Sequence, residues 1–140
     1  MSPDAADGGG TVRQWMTRPP IGVAEGAPIR SALARMQSED VRHLLVMDGG
    51  ILTGIVSSRD VSRLLTRDWD SPLLSEPVRR IMSEDPTSVA PDTRMITAAR
   101  LLLERRIGAL PVRDDERIVG IFTVADALDA LLAMVEGGRR

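Results

Sequence analysis

The sequence predicts an α+β fold, two β-α-β-β-α repeats packed about a pseudo-two-fold axis. Three observations predict it. The chain repeats itself: a shift of 66 positions aligns residues 12–65 with 78–131 without a gap, and 14 of those 54 pairs are identical. Ordinary composition would give roughly four. Apolar residues recur at helical and then at strand spacing in the same order in both halves. Finally, each repeat is of a size at which a hydrophobic core is marginal alone, which calls for two repeats sharing one.

The elements follow in order. Val12, Trp15 and Met16, like Val78, Ile81 and Met82, fall at i, i+3, i+4 and predict a short helical turn. Pro20 and Pro86 end it, and a short extended segment runs through Val23 or Val89. Ile29, Ala32, Leu33 and Met36 make one apolar helical face, and Met95, Ala98, Ala99 and Leu102 repeat it. A buried strand follows at 44–47 or 110–113, then a turn at Asp48-Gly49-Gly50 or Asp114-Asp115-Glu116. A second strand covers 51–56 or 118–122. A last helix starts near Ser57 or Thr123 and is expected to turn Val61, Leu64 and Leu65, or Ala127, Leu128, Leu131, Leu132 and Val135, inward. The domains are thus 12–65 and 78–136, joined by a connector at 66–77 that contains Trp69, a candidate cleft cover or partner contact. Residues 1–11 and 137–140 read as frayed tails.

Composition removes whole classes of function. There is no Cys, and therefore no disulfide, thiolate metal site or cysteine nucleophile. His43 is the single histidine, too few for a histidine metal site. Trp15, Trp69 and Phe122 are the only aromatics, which leaves no platform for stacking single-stranded nucleic acid. All 18 cationic side chains are Arg, interspersed with acids to a net charge of −2, so no basic face for DNA is expected. No apolar run is long enough to span a membrane, and the profile fits a cytoplasmic protein. A lone His without an orienting partner makes catalysis the weakest reading. Trp15, Met16 and Met82 read as core, and Arg79-Arg80 and Arg105-Arg106 as solvated helix faces.

The chemistry concentrates at G54-I-V-S57-S-R-D60 and G120-I-F-T123-V-A-D126. Ser/Thr followed three residues later by an acid is a capping box, and that plain reading stands. The same geometry can also cradle a nucleotide. Unpaired N–H groups and the helix dipole welcome phosphate, and an Asp one turn in can accept both hydroxyls of a ribose diol. Gly54 and Gly120 would let a backbone approach a ligand closely.

Both repeats resemble CBS motifs, named after the regulatory region of cystathionine β-synthase. The residues that carry the resemblance are W15-M-T, P20-I-G-V, L44-L-V-M-D and G54-I-V-S-S-R-D, then I81-M-S, P86-T-S-V, L110-P-V-R-D and G120-I-F-T-V-A-D. Leu45 departs from the pattern, standing where the family has the proline that Pro111 supplies. The resemblance implies a CBS-domain pair, or Bateman module, with two clefts for AMP, ADP, ATP, NAD or S-adenosylmethionine. Carried over residue by residue, one cleft combines Thr17, Pro20, Ile21, Arg42, His43, Leu44 and Leu45 with Thr123 and Asp126. The other combines Ser57, Arg59 and Asp60 with Ser83, Thr87, Gly108, Ala109, Leu110 and Pro111. Arg42 and His43 would meet phosphate; Gly108 and Ala109, their counterparts, have no side chain to do so. Adenine would lie between aliphatic residues such as Ile21, Val23, Leu44 and Ile55.

What the resemblance implies is a stand-alone, non-catalytic sensor module that binds an adenine nucleotide, needs no cofactor, forms a homodimer and reports to a regulated partner. The alternative is a scaffolding or dimerisation module with empty clefts.

Overall fold

The computed structural model describes residues 9–64 and 71–137. Leu65 and residues 66–70 of the connector, Trp69 among them, lie outside them. The chain divides into two compact units whose boundaries are not those of the repeats. One is Ile21–Pro86; the other joins Met1–Pro20 to Thr87–Arg140. Each repeat's opening segment therefore belongs to the unit built on the other repeat's hairpin.

The unit Ile21–Pro86 is a four-stranded sheet, order β1-β2-β3-β4, with helices on its core face. Its elements are β1 (Gly22–Ala24), α2 (Ile29–Glu39), β2 (His43–Asp48), β3 (Ile51–Ser57), α3 (Ser58–Leu64) and β4 (Ser83–Glu84). Strand β1 runs parallel to β2, and the other neighbours are antiparallel. Gly49 and Gly50 turn the hairpin with φ of 56° and 86°, the left-handed pair that a two-residue I′ turn requires. Ile29, Ala32 and Met36 of α2, spaced at helical period, meet Leu44, Val46 and Val56 of the hairpin, Val61 of α3, and Leu74 and Val78. Residues 71–77 are thus more than a connector: Leu74 is core, and the amides of Ile29 and Val78 donate to the carbonyls of Glu76 and Ala27.

The second unit repeats this plan. It consists of α1 (Val12–Trp15), α4 (Met95–Arg105), β5 (Ala109–Asp114), β6 (Arg117–Thr123) and α5 (Val124–Gly137). The β5–β6 ladder has the register of β2–β3 shifted by the repeat, with an irregularity at the same place, Val112/Arg113 against Val46/Met47. In place of β1 and β4 there are single bridges, Val89 to Val112 and Thr17 to Ile121. The weaker first pairing has a covalent cause. In the other unit Leu45 donates to Ile21 and Glu25 to Met47. The counterparts of Leu45 and Glu25 are Pro111 and Pro91, which have no N–H to give.

Two expectations need correction here. Residues 9–11 are not frayed. Gly9 O accepts from Trp15 Nε1 at 2.6 Å, and Gly10 O accepts from the Met95 amide at 2.8 Å. Nor does α5 turn its large residues inward: Ala127 and Ala130 enter the core, while Leu128, Leu132 and Val135 are more than half exposed and Leu131 is 37% exposed. Asp126, with Ala127 and Ala130, is on the buried side of the helix. Leu128 then stands roughly 200° further round at 3.6 residues per turn. Among the described residues no helix is long and apolar enough to cross a membrane.

Candidate functional site

Each unit presents one strand-to-helix junction. In Ile21–Pro86, β3 ends at Ser57 and α3 begins, so the first amides of the helix have no intrahelical partner. Ser57 and Asp60 satisfy two of them reciprocally. The Ser57 amide donates to Asp60 Oδ2 at 2.9 Å, and the Asp60 amide to Ser57 Oγ at 3.1 Å. The capping box is therefore formed. The strand register sets His43 opposite Ser57. Burial holds the His43 imidazole below its ordinary pKa; the Asp60 carboxylate pulls it back up, and Arg42 and Arg59 push it down further. Arg42 and Arg59 are exposed and enter no ion pair among the described residues. The Arg42 carbonyl accepts from the Ser58 amide at 2.8 Å, which fastens this arginine to the helix start. One junction thus gathers two unpaired guanidiniums, a half-buried imidazole and a carboxylate.

The junction of the second unit has the same capping box and different surroundings. The Thr123 amide donates to Asp126 Oδ2 at 2.9 Å, and the Asp126 amide to Thr123 Oγ1 at 3.2 Å. Asp126 is only 8% exposed. Its carboxylate also accepts the Thr17 hydroxyl, 3.0 Å from Oδ1 and 3.2 Å from Oδ2. Gly108, Ala109 and Ala125 stand where the other junction has Arg42, His43 and Arg59, so no cationic side chain occupies those positions.

The candidate residues fall into these two sets. Ile21, Arg42, His43, Leu44, Leu45, Ser57, Arg59, Asp60 and Ser83 are in Ile21–Pro86; Thr17, Pro20, Thr87, Gly108, Ala109, Leu110, Pro111, Thr123 and Asp126 are in the other unit. Arg42 and His43, assigned from sequence to one cleft, and Ser57, Arg59 and Asp60, assigned to the other, are in one unit and within electrostatic reach. Leu44 and Leu110 are each 0% exposed, inside the hydrophobic cores of their units. Strand alternation turns them away from the face that carries Leu45 or Pro111, so their side chains pack in the cores. Val23 likewise packs on the core. The Thr87 hydroxyl accepts from Arg105 Nη1 at 3.2 Å, which also gives Arg105 a partner beyond solvent.

The glycines serve a neighbour other than a ligand. A Cβ on Gly120 would lie 2.7 Å from Met16 Sδ and 2.9 Å from the Thr17 carbonyl; one on Gly54 would lie 2.5 Å from Met82 Sδ and 2.8 Å from the Ser83 carbonyl. What comes close is the opening segment of the other repeat. The sequence signal was present, because Met16-Thr17 and Met82-Ser83 are themselves a repeated pair.

Comparison with known proteins agrees with this architecture. The CBS domain profile matches residues 12–67 and 78–133. The CBS domain-containing protein DDB_G0289609 of Dictyostelium discoideum is 30% identical over 139 residues, covering 89% of this chain and 93% of that protein. Homoserine O-acetyltransferase of Methanocorpusculum labreanum is 32% identical over 115 residues, 81% of this chain, but the chain spans only 22% of that enzyme. Among solved structures, CBSX2 in complex with AMP superposes with a TM-score of 0.72 at 28% identity, covering 89% of this chain and 98% of that one. The CBS domain pair of protein MJ0100, in complex with 5′-methylthioadenosine and S-adenosyl-L-methionine, gives a TM-score of 0.76 at 25% identity, covering 93% and 98%.

Proposed function

Since the chain belongs to the CBS domain family and carries two such domains in tandem, we propose that it is a non-catalytic regulatory module whose ligand is an adenine nucleotide. The observation that carries this reading is the junction around Asp60. Arg42 and Arg59 are exposed guanidiniums without an ion pair among the described residues, beside a carboxylate and a helix start. Such a set suits a ligand with a diol at one end and an anion at the other. Asp60 accepts ribose hydroxyls, and the planar guanidiniums take phosphate oxygens in pairs. The complexes of CBSX2 with AMP and of MJ0100 with methylthioadenosine and S-adenosylmethionine support an adenosine-containing ligand. Between those two chemistries, unpaired cations favour a phosphate over a sulfonium. At Asp126 a ribose diol would share a carboxylate that Thr17 now uses, so occupancy there acts on the segment that Thr17 belongs to. A ligand shifts such an arrangement only by its differential affinity for the two states.

A second reading, a scaffolding module that binds no nucleotide, is favoured by one observation: both Asp carboxylates are already engaged in capping boxes. Thermal unfolding separates the two. A ligand at 100 times its dissociation constant stabilises a fold by about 2.7 kcal/mol, a rise of several degrees in Tm. AMP, ADP or ATP gives that rise, and Asp60→Ala reduces it. Arg42→Ala weakens ATP more than adenosine. No shift with adenine nucleotides, NAD or S-adenosylmethionine at millimolar concentration selects the scaffold.

A further inference from the structure

Strand β2 opens on a residue that can titrate. Alternation sends the His43 side chain to the face opposite Leu44, away from the hydrophobic core. The ladder sets it across from Ser57, where α3 begins. The Ser58 amide donates to the Arg42 carbonyl at 2.8 Å, which ties the residue before His43 to the residue before Arg59. Arg42, Arg59 and Asp60 are the charged groups that act on the imidazole. Strand β1, on the other side of β2, carries no ionisable residue, and Glu84 of β4 is paired with Gly54 rather than with Ser57.

The second repeat shows what the fold itself requires. Its matching residues are Gly108, Ala109 and Ala125, yet it forms the same hairpin and the same capping box. The architecture therefore needs none of the three ionisable side chains, Arg42, His43 and Arg59, that the first repeat gathers.

Without ligand, burial and the two guanidiniums keep His43 neutral, and Asp60 alone opposes them. A phosphate seated on Arg42 and Arg59 reverses that balance, because it compensates both cations and adds negative charge of its own. Building on the nucleotide reading of this junction, we propose that a phosphate-bearing ligand and one proton bind there together, the proton passing from solvent to the unprotonated ring nitrogen of His43. No other bond is made or broken. The protonated ring becomes a third donor to phosphate oxygens, beside two arginines that never titrate. Linkage makes the effect reciprocal: the ligand raises the proton affinity of His43, and a fall in pH raises affinity for the ligand. With one proton involved, affinity falls by at most about tenfold per pH unit as pH rises from the free midpoint of His43 to its bound midpoint. Nucleotide and acidity are thereby read as one signal.

His43 is the single histidine, so the ring signals of the untagged, 13C-labelled full chain need no assignment. An NMR titration with and without AMP tests the coupling. The ring midpoint lies below the ordinary 6.5 without ligand and rises by about one pH unit or more in saturating AMP; adenosine does not move it. Calorimetry adds the affinities. The AMP phosphate itself titrates at about pH 6, a contribution common to wild type and His43→Gln, so comparing the two isolates the histidine. Between about pH 6.5 and 8, wild-type affinity for AMP falls several-fold more than that of His43→Gln. AMP that binds yet leaves the midpoint in place overturns the coupling, as do equal pH slopes for the two proteins. AMP that binds at no pH overturns the nucleotide reading, and the coupling with it.

Discussion

Asp60 and Asp126 occupy one position in a repeat and make the same capping box, yet their environments differ. Asp126 is buried and holds Thr17, whereas Asp60 is half-buried among arginines and a histidine. His43 carries a consequence that can be measured. Burial favours its neutral form, so the folded state binds a proton less readily than the unfolded chain does. Stability from this residue is fully present above the ordinary histidine pKa, about 6.5, and is lost as pH falls through the lowered folded value. Urea unfolding midpoints of the wild type should therefore drop between pH 7.5 and 5.5 more than those of His43→Gln. Parallel slopes for the two proteins would show that His43 is as free to protonate folded as unfolded.

At the scale of elements, the hairpins are legible in the sequence because two independent signals agree, short apolar runs and turn residues between them, each seen twice. The predicted strands fall within one or two residues of β2, β3, β5 and β6. Strand β4 was not read, since a two-residue strand has no period to detect; its trace was Gly54, a gap kept open for a neighbouring backbone. The orientation of α5 differs from the expected one for a related reason. Leucine at helical spacing marks a face but does not say which side the core is on, and the side that carries Asp126, Ala127 and Ala130 is the buried one. Gly120→Ala tests the close approach. Its new Cβ would lie 2.9 Å from a carbonyl that must stay put to pair with Ile121. We expect a loss of about 1–3 kcal/mol in urea unfolding, the usual cost of overpacking. A loss below about 0.5 kcal/mol, the ordinary range for an unconstrained surface position, would mean that the opening segment yields freely.

For the whole molecule, the repeat and the compact unit are different divisions of one chain. A peptide of residues 12–67 contains one repeat but lacks Leu74, Val78 and β4, which complete the sheet and core around its hairpin. A peptide of residues 21–86 contains all of them. Circular dichroism of the two should find more ordered structure and a sharper thermal transition in 21–86. Equal order in 12–67 would make the repeat the folding unit after all. This division was the least legible part of the fold, because similarity between repeats reports which segments descend together and says nothing of where each one docks.

The lent segments also decide why the two repeats occur in one chain. A single repeat leaves the edge beside its hairpin glycine unfilled, and the matching Met-Thr or Met-Ser segment can fill it only by coming from another repeat. Supplied by a separate molecule, that segment would arrive at the rate and occupancy that bulk concentration allows. Carried on the same chain, through the connector for Met82-Ser83 and through the unit Ile21–Pro86 for Met16-Thr17, it is present at an effective concentration that does not change on dilution. Completion of each sheet then no longer depends on how much protein the solution contains.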